Sequence, residues 1–282
     1  MNTRSSEFTV RRVLVALDAS AHSLAALEMA LDLAVVSKAE LVGLFVEDAH
    51  LLRLAESPQA REVLYPSAQQ LPLTLATMEQ RLRAQGEQAR RAMASLANPA
   101  KVQWSFRVVR GEVNAEVLAA ASEMDVLALG KTGWSLAAQS HPGPTVPHAA
   151  HHPPRALLLV QRGVPFKRQV LAVVSSTENL QPTLNVSAHL AQVYGNRLVV
   201  LVSTAMHGIA EELSREAAAL LKQGSEHLHV HFRQIPGTNL LSIVHAVQAE
   251  GGGILAIGQS ACSTETVKLL LHHLGTPIFL VL

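Results

Sequence analysis

The sequence predicts an α/β protein in which one strand-and-helix unit is used twice, each copy built around a mainly parallel sheet. Three observations predict it. Short continuous apolar runs alternate with stretches of helical period, and the runs of the second half repeat those of the first in the same order. The third is Asp125 to Gly133, where a short apolar run opens on an acid and ends in a glycine turn, a buried strand delivering a loop to the sheet's edge.

In chain order, Val13 to Leu17 is an apolar run of strand length, closed by Asp18-Ala19-Ser20. Ser23 to Val36 then has apolar residues at helical spacing, with Ser20 or Ser23 as the N-cap. Leu41 to Val46 is a second strand, ended by Glu47-Asp48. The interval to about Pro99 is polar, and its part from Leu75 to Leu96 has the composition of a long amphipathic helix. Val102 to Val109 alternates as a third strand, Val113 to Ala121 is a helix, and Val126 to Leu129 a fourth strand. Arg155 to Val160 makes the fifth. Arg162 to Lys167 has the composition of a linker.

The pattern then restarts. Val170 to Ser175 echoes Val13 to Asp18, and Arg197 to Val202 echoes Glu40 to Phe45 at the same offset. Later matches, Gly237 with Gly111 and Gly258 with Gly130, lie about thirty residues closer than that offset. The first copy therefore carries an insertion within 48–99, and the expected units are 1–163 and 164–282.

Composition limits the function classes. Nearly half the residues are apolar and few are aromatic, which suits an aliphatic core in each half. A net charge of +1 gives no general pull towards nucleic acid or anionic membrane. No apolar run approaches membrane-spanning length, and Met1 to Glu7 precedes a run too short for a secretory signal core. Cys262 is the one cysteine, so no disulfide forms within the chain and a reducing, cytoplasmic location is expected.

With these residues set out, each half resembles a universal stress protein (UspA-like) domain, the first half more closely. The features shared are the strand ending in Asp18-Ala19-Ser20, Arg110-Gly111 before a helix, and Gly130-x-x-Gly133 followed after nine residues by Gly143. The resemblance implies two flavodoxin-like sandwiches in tandem, each a five-stranded, mainly parallel sheet of order 3-2-1-4-5. It also implies that the halves pair through their last strands. In that topology strands one and four flank the switch point where α/β sheets bind ligands, and Asp18 and Gly130 leave those strands at their carboxyl ends.

By the same resemblance the ligand is an adenine nucleotide, ATP or ADP, with Mg²⁺ at most alongside it. Leu17 and Asp18 would contact the adenosine part, and the backbone near Val46 would read the adenine edge. Gly130, Thr132, Gly133, Gly143 and Thr145 would cradle ribose and phosphates. One departure weakens that cradle. Pro144 stands where the family has Ser or Thr, and proline brings neither hydroxyl nor N–H. At roughly 0.5–1.5 kcal/mol for each lost hydrogen bond, the cost is about tenfold in affinity or more. Thr145 supplies the alternative hydroxyl if the loop shifts by one residue. In the second copy Ser175 replaces the acid and Ala261 the second glycine, so no nucleotide is expected there.

The expected role is a stress-response sensor or regulator; the alternative is a nucleotide-free scaffold working through protein contacts, as a homodimer or with a regulatory protein. No Gly-x-Ser-x-Gly elbow, Walker lysine motif or HExxH occurs, so at most slow ATP hydrolysis is expected. Other constellations have duller readings beside them. His141, His148, His151 and His152, or His227, His229 and His231, have ligand-like spacing, but surface histidines explain both sets. Cys262 is a redox thiol or inert packing. Lys131 is a phosphate contact or a solvated lysine.

Overall fold

Aliphatic runs buried on both faces become the inner strands of one sheet, and the amphipathic stretches become the helices that cover it. The computed structural model describes residues 9–64, 66–131, 155–161, 163, 167–177, 180–204, 209–222, 228–258 and 261–281. The first half runs β1 (Arg12–Ala16), α1 (Ala21–Ser37), β2 (Glu40–Asp48), α2 (Ala49–Ala55), β3 (Arg61–Leu64), β4 (Gln69–Pro72), α3 (Leu75–Ala100), β5 (Trp104–Gly111), α4 (Val113–Ala121), β6 (Val126–Gly130) and β7 (Ala156–Val160). The second runs β8 (Val170–Val174), α5 (Leu180–Val193), β9 (Arg197–Ser203), α6 (Ile209–Lys222), β10 (His229–Ile235), α7 (Leu240–Glu250), β11 (Ile254–Gly258), α8 (Thr264–His273) and β12 (Ile278–Val281).

Ten of these strands form one sheet in the order β10-β9-β8-β11-β12-β7-β6-β1-β2-β5. Each group of five has the order 3-2-1-4-5 and is parallel throughout. The halves meet where β12 runs antiparallel to β7, with Ile278 opposite Leu159 and Phe279 opposite Leu158. The last strands of the two copies thus pair inside a single chain, an arrangement that removes two sheet edges. A polar seam crosses the same junction: Ser37 Oγ lies 2.7 Å from His189 Nε2, and the Tyr194 hydroxyl donates to the Met29 carbonyl at 3.3 Å. Asp32 lies beside Tyr194, and burial raises the pKa of both.

Alternation along the strands sorts side chains to two faces. Val13, Val15 and Leu17 join the core beneath α1 and α3, while Leu14, Val42 and Leu44 join the core beneath α4. Local signals fix the helix ends. Ser20, not Ser23, caps α1: its side chain accepts from Ser23 N, and Lys38 ends the helix in the left-handed conformation. Thr74 caps α3, which extends to Ala100 with Pro99 in its last turn.

Two details differ from the sequence expectation. The third strand begins at Trp104 and runs on to Gly111, because β2 continues to Asp48 and offers partners for Arg110 and Gly111. The insertion's part ahead of α3, for which the sequence suggests no element, folds as α2 and the β3–β4 hairpin. The hairpin is exposed enough to carry no apolar alternation that would announce it.

Candidate functional site

The first half turns back on itself between β1 and β6. The chain leaves β1 for β2 and β5 on one side, then crosses to β6 on the other, so the switch point of the sheet lies at the carboxyl ends of β1 and β6. Val13 pairs with Val126 and Val15 with Ala128, which sets the ends of the two strands side by side.

Asp18 sits in the turn between β1 and α1. One of its carboxylate oxygens accepts from Ser20 N at 2.9 Å, and Ala19 between them has φ +59°. A left-handed alanine costs roughly 1–2 kcal/mol, so the turn is held by its surroundings: Leu17 N donates to the Leu44 carbonyl at 2.8 Å, and Ser23 N to Ser20 Oγ at 3.2 Å. Leu17 itself turns the other way. Its side chain is buried in the core beneath α1 and α3.

Val46 lies half-buried near the end of β2 and packs against the core beneath α4. Two-residue alternation from Leu14 and Ala16 puts Asp18 on that same face. Beyond Val46, Glu47 is 9% exposed and is bound by Arg110, with Nε at 2.9 Å and a terminal nitrogen at 2.8 Å. Arg110 also reaches Glu79 of α3 at 3.2 Å, so β2, β5 and α3 are tied together at this end. Sequence inspection missed this triad, because it depends on the register between β2 and β5. Asn114, in the first turn of α4, has a buried Oδ1 with no hydrogen-bond partner among the described residues.

Gly130 ends β6 beside Val160. A Cβ there would come within 2.7 Å of the His22 carbonyl carbon and of Ser23 N, so only glycine lets β6 abut the first turn of α1. Close packing already accounts for this residue, whatever the loop binds. Thr132, Gly133, Gly143 and Thr145 lie outside the described residues, as do Pro144, His141, His148, His151, His152 and His227.

Lys131 is not a solvated surface lysine. It is 8% exposed, and its ammonium donates to Gln161 Oε1 at 3.1 Å and to the Leu274 carbonyl, in the second half, at 2.7 Å. Burial with no carboxylate partner lowers its pKa to about 8. Cys262 is buried in the aliphatic core, and burial pushes its thiol up to about 12, which leaves it as packing. His229 and His231 project from the exposed side of β10, and no group of three metal-ligating side chains occurs among the described residues.

Against known families, residues 9–161 match the model of the universal stress protein family, more than half of the chain. The chain belongs to the universal stress protein family. No curated protein matches it by sequence. Among solved structures it is similar to a universal stress protein from Archaeoglobus fulgidus DSM 4304, at 15% identity and a TM-score of 0.69, with 98% of each chain covered. It is also similar to a putative universal stress protein from Pseudomonas aeruginosa UCBPP-PA14, at 13% identity and a TM-score of 0.57, covering 98% of this chain and 94% of that one. At such identities the likeness is one of fold, and it extends over both halves of the chain.

Proposed function

We propose that this universal stress protein binds one adenine nucleotide, ATP or ADP, at the first-half switch point and acts as a sensor or regulator of the stress response. The observation that carries the proposal is the convergence of Asp18, the end of β2 at Val46, and Gly130 around the switch point of the first sheet. Asp18 and Val46 share a face there, so a carboxylate for ribose hydroxyls and a backbone edge for adenine lie on one side of the sheet. The orphaned Oδ1 of Asn114 stands at the same end and would accept from an amino group.

In this proposal Asp18 orients the sugar, the backbone at Leu17 and Val46 meets the base, and the glycine loop that begins at Gly130 receives the phosphates. Thr132, Gly133, Gly143 and Thr145 complete that loop, and any Mg²⁺ arrives with the nucleotide. The second half has Ser175 in place of the acid and takes no nucleotide. No residue is assigned to hydrolysis, so the output is a change of state and not a product. Among the described residues no helix is long and apolar enough to cross a membrane. The cytoplasm is the compartment we propose, where a lone thiol stays reduced. Titration calorimetry with ATP provides the test: Asp18→Ala should weaken binding tenfold or more, by loss of hydrogen bonds from a charged acceptor. Equal affinities for the two proteins would remove the proposal.

A further inference from the structure

The two halves also meet through helices, and there the two copies differ. α1 packs on α5 across the junction. In the register that sets Val170 on Val13, His189 stands where the first half has Asp32, and Tyr194 where it has Ser37. The backbone bears this register out: Ala39 N donates to the Ala34 carbonyl at 2.9 Å, and Asn196 N to the Ala191 carbonyl at 2.7 Å. Ser37 meets His189, and its counterpart Tyr194 lies beside Asp32. The junction therefore repeats one contact about a two-fold axis, as in an isologous dimer where residue i meets j and j meets i. The end of each helix touches a residue more than one turn back in the other. Only the chemistry is unequal, because one contact has an imidazole where the other has a carboxyl.

The partner that the junction offers the imidazole is neutral. Ser37 Oγ lies 2.7 Å from Nε2. Among the described residues no acid or base on α1, α6 or the strands beneath acts on the ring, and partial burial alone holds its pKa below the ordinary 6.5. A proton on the ring therefore places an unpaired charge in the contact between α1 and α5. Asp32 responds in the opposite sense. Its neighbours are the Tyr194 hydroxyl and Arg168, burial raises its pKa, and acid neutralises it.

We propose that His189 is an acid-sensitive latch between the halves: neutral, it closes the α1–α5 contact on Ser37, and protonated, it loosens that contact while the β7–β12 pairing keeps the sheet whole. An opened contact returns the ring to its ordinary affinity for protons. The latch is thus fully closed above about pH 6.5 and weakens as the pH falls through that value towards the ring's own lower one. It needs no ligand and stands apart from the nucleotide site.

Hydrogen exchange of the full chain without nucleotide, read as protection in peptides spanning 29–37 and 184–194, tests it at about pH 7.5 and 5.5. Protection in both segments should fall severalfold at the lower pH, while that of β11 at 254–258 holds. His189→Gln, which stays neutral and can still bond Ser37, should show no such fall. Should that variant not fold, His189→Asn serves the same comparison. Equal protection at the two pH values in the natural chain overturns the latch, and so does an equal fall in the natural chain and the variant. A fall of the same size at 254–258 overturns it too, because the whole chain and not the junction is then opening.

Discussion

Lys131 shows how far a single residue's role depends on where the chain brings it. In the sequence it is one basic side chain in a glycine loop, and either a phosphate contact or a solvated surface fits. Its partner at Leu274 is 143 positions away, beyond the reach of any local pattern. Burial holds its pKa at about 8 against 10.5 for an ordinary lysine. The unfolded chain therefore keeps a proton that the folded chain has lost between those values, and the lysine's contribution to stability rises with pH across that window. Urea unfolding near pH 7.5, 9 and 10.5 should show the natural chain gaining on Lys131→Met as pH increases. A gap that is flat, or that shrinks, would contradict this burial. Asp18 was readable because a carboxylate at a strand's end stands out after five aliphatic residues. The same alternation already put Leu17 on the opposite face, so its side chain belongs to the core.

At the level of elements, the strands were legible because burial on both faces demands unbroken aliphatic runs, and β1, β2, β6, β8, β9 and β11 are such runs. Long α3 was legible from its amphipathic composition, and its N-cap Thr74 falls immediately before the expected start. The β3–β4 hairpin was not, since two exposed strands bury no stripe of apolar side chains. The Glu47–Arg110–Glu79 triad was hidden for another reason: β5 runs two residues past its apolar stretch to stay paired with β2. The first turn of α1 matters most to the site, because Gly130 packs on it. Ser20 is 6% exposed and caps that turn, so Ser20→Ala should cost about 0.5–2 kcal/mol in urea unfolding. A cost below about 0.2 kcal/mol would show that the cap does not hold the helix start.

For the whole molecule, the offset between repeats, shared by the first two strands and shortened after the insertion, carried the architecture, because a duplicated unit must reproduce its strand order. What the offset could not give is the continuity of the sheet, which comes from β7 and β12 pairing antiparallel at the centre. Those strands would be open edges in separate halves, and Phe279 of β12 is fully buried opposite Leu158. Phe279→Ala should therefore destabilise the entire chain by about 3–5 kcal/mol, the cost of a large core truncation. A loss under about 1 kcal/mol would mean that the junction is loosely packed. The halves share a fold and differ in chemistry, with Asp18 in one and Ser175 at the matching place in the other. Native mass spectrometry of the full chain with excess ATP measures that difference. One nucleotide per chain, lost on Asp18→Ala, is the expected mass; two per chain, or none, would contradict the account.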